Sequence, residues 1–151
     1  MQNYTILNSK QIKIIMKALS DQFGFLEKLE YVFLRTNKGK VYLVNRDIER
    51  IDLEKIRINS MGLYFGEHLS SGEFRLSIEG SQMIGPKSSK NIYELDKESL
   101  KVWFKGQDME IEDDRNAFVL IKYNDEFCGC GKIKNKRLLN FVGKVRRINL
   151  I

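Results

Sequence analysis

The chain has one histidine, His68, one proline, Pro86, and two cysteines, Cys128 and Cys130. These scarcities remove several kinds of chemistry at once. His68 lies in a polar stretch with Ser70 and Ser71, and its spacing to them makes no catalytic triad. A structural zinc site needs about four ligands, which the two cysteines and His68 do not reach. A disulfide between residues i and i+2 is geometrically poor, so Cys128 and Cys130 read as reduced, partly buried thiols on one face of a strand. Glu112-Asp113-Asp114 lacks the glycine and further oxygen ligands of a cation loop and reads as a solvated turn.

Long apolar runs are absent too. Nothing approaches the roughly 18 residues of a membrane span, and the first residues lack the charged and apolar segments of an export signal. The expectation is a cytoplasmic chain with no membrane partner. Neither a glycine-rich turn opening a nucleotide-cofactor fold nor a Walker loop is present, because Gly39, Gly62 and Gly66 do not fall into either pattern. The chain therefore reads as non-catalytic, without cofactor and without metal. A small enzyme centred on Cys128, Cys130 and His68 is the weakest alternative.

What the chain does have is segregated charge. Its 151 residues carry 26 Lys and Arg against 20 Asp and Glu, a net charge of +6. Residues 1 to 60 are at +4, residues 61 to 128 at −5, and residues 129 to 151 at +7 with no acid among them. A basic tail of this kind seeks phosphate. The hydrophobic fraction of 42% is enough for one domain or two small ones with a packed core.

Periodicity supplies the elements. Asn8 or Ser9 caps a helix over Lys10 to Gln22 that stops at Gly24, with Ile12, Ile15, Met16, Leu19 and Phe23 as its apolar stripe. Tyr31 to Thr36 and Lys40 to Val44 read as a hairpin turning at Asn37-Lys38-Gly39. Asp47 to Leu53 reads as a short helix or turn, and Ile56 to Ile58 as a strand. Leu63 to Phe65 is a further strand, Gly66 to Gly72 a loop, and Phe74 to Leu76 returns the chain to the body. Ser77 caps a helix that stops at Gly85-Pro86. Asp96 caps another with Leu100, Trp103 and Phe104 inward. Met109 to Ile111 is a short strand, Ala117 to Tyr123 a strong one, and Phe127 to Lys134 follows it. There Lys132 and Lys134 share one face and Ile133 points to the core. Gly129 and Gly131 fall on the Ile133 side and suit a strand that bends or lies close under another backbone. Arg137 to Val142 is the last strand.

Gly131-Lys132-Ile133 followed by Asn140 to Ile148 resembles the closing strands of a PUA domain, in the version appended to RNA (cytosine-5) methyltransferases of the Sun/Fmu type. Gly62 to Gly66 is similar to that domain's first strand, Phe74 to Pro86 to the segment entering its first helix, and Tyr93 to Asp108 to the methyltransferase-associated version. The resemblance implies an α+β chain: a small N-terminal α-β-β domain over residues 1–59, then a PUA-type β-barrel with short flanking helices over residues 60–151. This plan is also similar to a stand-alone ribosome-biogenesis factor of archaea and eukaryotes.

By that resemblance the partner is structured RNA, tRNA or rRNA, in RNA modification or ribosome assembly. Carried over by position, the RNA-binding residues are Arg75, Lys87, Lys132, Lys134, Arg137, Lys144, Arg146 and Arg147, gathered beside the helix after Ser77. Lysine would contact phosphate as a point charge, and arginine would bind it in bidentate fashion or stack on a base. No helix reads as a major-groove probe, which favours RNA over duplex DNA. The catalytic half of a methyltransferase is missing: Cys128 follows Phe127 and Cys130 follows Gly129, not the proline or threonine that precedes the nucleophile in those enzymes. A separate RNA methyltransferase or a ribosome-assembly factor is then a further expected partner. The alternative is a protein-interaction module, its acidic middle and basic tail self-complementary and its N-terminal hairpin an edge for pairing.

Overall fold

A computed structural model describes residues 4–46 and 62–148. The elements expected at Asp47 to Leu53 and Ile56 to Ile58, and the domain boundary expected after residue 59, lie outside those residues.

Asn8 opens helix α1 (Ser9–Phe23) with a reciprocal cap: its Oδ1 accepts from the Gln11 N–H, and its own N–H donates to Gln11 Oε1, both at 2.9 Å. Gly24 closes the helix in the left-handed region at φ 66°. Ile15, Leu19 and Phe23 on its apolar stripe are fully buried. They rest on a sheet whose strands run in the order β1 (Tyr4–Ile6), β2 (Val32–Thr36), β3 (Lys40–Val44), β4 (Leu63–His68) and β5 (Phe74–Leu76), every pair antiparallel.

β4 and β5 were expected to open the second domain, and here the structure differs. β4 pairs with the free edge of β3, and β5 with β4. The reason is aromatic packing: Phe65 lies 6.5 Å from Phe33 and 5.3 Å from Phe74, centroid to centroid, within the core that α1 covers. The loop expected from Gly66 shortens accordingly, because the strand continues through His68, whose ring stacks on Phe74 at 6.2 Å.

Ser77 then caps helix α2 (Ile78–Ile84): its Oγ accepts from the Gly80 N–H at 2.9 Å and donates to the Tyr64 carbonyl at 2.6 Å. A tight turn follows at Gly85–Lys87. The second sheet has the order β6 (Ile92–Glu94), β8 (Ala117–Tyr123), β9 (Glu126–Lys134), β10 (Arg137–Leu139) and β7 (Met109–Glu110). β6 was not foreseen in the sequence; it lies parallel to β8. Among the described residues no pairing joins β6 to β7, so the α+β class holds as two sheets with helices.

One face of the second sheet meets α1 and the first sheet through Phe118, Leu120, Phe127 and Cys130. The other is covered by helix α3 (Lys97–Phe104), capped by Asp96, whose Oδ1 accepts from the Ser99 N–H at 2.7 Å; that bond holds the Asp96 carboxyl below its usual range. Buried Trp103 donates its indole N–H to the Cys128 carbonyl at 3.0 Å. Gly129 and Gly131 lie on the Trp103 side of β9, where ideal Cβ atoms would come to 3.3 and 3.1 Å from the indole.

The cysteines do not share a face. Ile121 is opposite Gly129 and Lys122 opposite Phe127, which leaves Cys128 as the extra residue of a bulge. The bulge interrupts the alternation, so Cys128 joins the Trp103 cluster and Cys130 the core between the sheets.

Candidate nucleic-acid interface

The sheets meet at a corner formed by β5, β9 and the segment after β10. Arg75 is the middle residue of β5, between the inward Phe74 and Leu76, so it points outward. Its guanidinium carbon lies 4.6 Å from the centroid of Phe141. Phe141 stands 6.1 Å from Phe118 on β8, and the Lys132 ammonium on β9 lies 5.0 Å from the Phe118 ring. Two neighbouring rings thus lie between two cations from one sheet to the other, in the order Arg75, Phe141, Phe118, Lys132.

Phe141 is free to take this place because β10 is shorter than expected. The strand read from Arg137 to Val142 stops at Leu139. Asn140 ends it: its side chain donates to the Trp103 carbonyl at 2.7 Å and accepts from the Val142 N–H at 2.7 Å, while its backbone N–H goes to Asp108 Oδ1 at 2.8 Å.

Carboxylates stand beside three of the expected cations. Glu67 is 3.7 Å from Arg75, Glu73 is 4.0 Å from Lys132, and Glu79, in the first turn of α2, binds Arg146. The expected groove is therefore not uniformly cationic; at the corner it is a set of ion pairs. All three are partly open to water, and pairs of that kind contribute only about 0–1 kcal/mol each, so a phosphate can compete for the cation.

Four further cations of the expected set lie on β9, β10 and the segment after β10. Lys134 continues the Lys132 face of β9, about 7 Å further along the strand, and Arg137 sits directly opposite it on β10. Lys144 is exposed in a turn over Lys144–Arg146. Arg147 donates through Nε to the Val142 carbonyl at 3.1 Å. None of these four has a carboxylate within 4 Å among the described residues. Lys87 lies apart: it follows the C-terminal end of α2, roughly 10 Å along the helix axis from the turn that holds Glu79.

Glu67, Glu73, Glu79, Phe118 and Phe141 were not singled out in the sequence. Phe141 carried a usable signal, an aromatic residue inside a stretch free of acids. Glu67 faces Arg75 across the β4–β5 pair, eight residues away, whereas Glu73 and Glu79 carried no signal, because Lys132 and Arg146 come from far away in the chain. Arg115 is excluded from the corner by its own partner, Asp113, which it grips at 2.7 Å and whose carboxyl it holds below the usual range. Among the described residues no three His, Cys, Asp or Glu side chains cluster as metal ligands, and no helix is long and apolar enough to cross a membrane.

Comparison with known proteins divides the chain where the sheets divide. Residues 5–78 match the family described as NIP7/UPF0113, pre-PUA domain, and residues 90–148 match the Methyltransferase RsmF PUA domain. Over 134 residues, 88% of this chain, it is 25% identical to the ribosomal RNA small subunit methyltransferase F of Vibrio vulnificus, in strains YJ016 and CMCP6. That alignment covers 28% of those proteins, so the chain spans little more than a quarter of the length of the curated relatives it matches. The chain is thus similar in its C-terminal part to the PUA domain of RsmF-type methyltransferases and in its N-terminal part to the NIP7 pre-PUA domain.

Proposed function

We propose that this protein binds structured RNA, rRNA or tRNA, without catalysing a reaction on it, in RNA modification or ribosome assembly in the cytoplasm. The observation that carries this reading is the run of Arg75, Phe141, Phe118 and Lys132, two rings between two cations, at the corner of the two sheets. Phe141, 38% exposed, and the planar guanidinium of Arg75 offer stacking surfaces to an unpaired base, with Phe118 buried behind them, and the cations without a carboxylate partner offer phosphate contacts. We place the division between the two domains in the segment between Leu76 and Ile92, and read the second sheet as the open form of the PUA barrel.

Lys134, Arg137, Lys144 and Arg147 are the four expected cations on β9, β10 and the segment after them without a carboxylate within 4 Å among the described residues. With about four phosphate contacts, log K should fall against log salt with a slope of about −3. Titration of labelled tRNA and small-subunit rRNA fragments by anisotropy, over a series of salt concentrations, tests the reading. No binding at low salt to either RNA overturns it.

A second reading follows from the relatives. Since they are methyltransferases that extend well beyond the aligned region, the same RNA contact could serve to bring a separate RNA methyltransferase to its substrate. Methylation by such an enzyme would then depend on this chain in a reconstituted reaction, and lose that dependence when Arg75 is replaced.

A further inference from the structure

The turn at Lys144–Arg146 presents Val145 with 95% of its surface exposed, although the turn is held firmly on both sides. Arg146 is bound to Glu79 on α2. Arg147 donates to the Val142 carbonyl, and its side chain packs against Gly106, where a Cβ would fall 2.6 Å from Arg147 Cδ. The Ile148 N–H donates to the Phe104 carbonyl at 2.8 Å, and the Arg146 N–H closes the turn on the Gly143 carbonyl at 2.9 Å. A scattered exposed apolar residue is ordinary. A β-branched one fixed at the tip of an anchored turn, with Lys144 before it and the Glu79-paired Arg146 and then Arg147 after it, presents an apolar point flanked by cations.

We infer that Val145 is a wedge that enters between two bases of the bound RNA, with Lys144 holding the adjacent phosphate. Apolar side chains inserted at a base step, flanked by cations on the backbone, unstack the step and gain contact surface. The charge decides the occupant: no acid occurs in residues 129–151, and with Glu79 answering Arg146 the turn keeps Lys144 and Arg147 in excess, which suits a polyanion better than an apolar pocket on another protein. Phe141, four residues upstream and 38% exposed, stands ready beside an unstacked base. This inference rests on the RNA-binding reading above.

The test uses the full chain and a stem–loop RNA with a single-stranded tail and 2-aminopurine at the junction. The wild type should raise 2-aminopurine emission on binding. V145S should bind roughly 10-fold more weakly at every salt concentration, with an unchanged salt slope, and should lose the emission rise. K144Q should reduce the slope by about one and keep the rise. Because Val145 touches so little, both variants should melt as the wild type does. If the wild type binds no RNA, the underlying reading falls. If it binds and V145S matches it in affinity and emission, the wedge alone is overturned, and the tip belongs to a partner other than RNA. Weaker binding by V145S with the emission rise intact also overturns the wedge.

Discussion

The guanidinium of Arg75 lies over the ring of Phe141, 4.6 Å from its centroid, and so joins a strand of the first sheet to the segment that leaves the second. A planar guanidinium can stack on a ring or a base as well as attract it by charge, whereas an ammonium cannot stack. R75K should therefore behave more like R75A than like the wild type. We expect R75A to weaken RNA binding about 10-fold and R75K about 5-fold, with stability changed by less than about 1 kcal/mol, as for an exposed cation–ring pair. Anisotropy and urea unfolding measure the two effects separately. Equal affinity of R75K and wild type would remove stacking from the site.

The glutamates at the corner compete with RNA for the cations. Glu73 stands 4.0 Å from Lys132, and Glu79 binds Arg146. Neutralising them removes repulsion toward phosphate and frees each cation. E73Q and E79Q should each tighten RNA binding by about 2- to 5-fold at low salt and steepen the salt dependence, while a partly exposed pair is worth little to the fold. Weaker binding by both variants would mean that the carboxylates themselves contact RNA.

Trp103 and Gly131 form a second relationship with a measurable consequence. A Cβ at Gly131 would meet Leu138 Cδ1 at 2.8 Å, the Leu139 carbonyl oxygen at 3.0 Å and the indole at 3.1 Å. Overpacking of that kind costs about 1–3 kcal/mol, and G131A should show it in urea unfolding. G143A is the control, since a Cβ there meets nothing within 4 Å and its backbone is ordinary for alanine. W103F leaves the buried Cys128 carbonyl without its donor at a further cost of about 1–3 kcal/mol. A G131A protein as stable as G143A would mean that β9 has room to shift.

These pairings show what the sequence could and could not disclose. Local chemistry was legible: the Asn8 cap, the left-handed Gly24, the stripe of α1, the turn at Asn37 to Gly39 and the caps at Ser77 and Asp96 all depend on residues a few positions apart. So was the closeness of something above Gly129 and Gly131, though the sequence did not name the indole. Sheet membership was not. Leu63 to Phe65 alternates equally well in either sheet, and only the packing of Phe65 between Phe33 and Phe74 assigns it to the first. The candidate site shared both properties. All its cations but Arg75 and Lys87 stand out in an acid-free tail, whereas the glutamates that hold Lys132 and Arg146 are brought to them by tertiary contact alone; Glu67 meets Arg75 across neighbouring strands.

Cys130 links burial to pH. Its thiol lies in the core between the sheets, and burial pushes it from an ordinary 9.0 up to about 12. The raised value means that the folded state keeps its proton where the unfolded chain releases it. The stability this supplies is complete below pH 9 and is lost as pH rises from 9 toward 12, by on the order of 1 kcal/mol per pH unit. Tyrosines and lysines titrate in the same window, so the comparison is with C130A, which lacks only the thiol. The stability difference between wild type and C130A should shrink steadily above pH 9 in urea titrations and stay constant from pH 7 to 8.5. Native Cys130 should also resist iodoacetamide at pH 8 until denaturant is added. Rapid alkylation of the folded protein at Cys130, or a difference that does not change across the window, would show that the thiol is open to solvent.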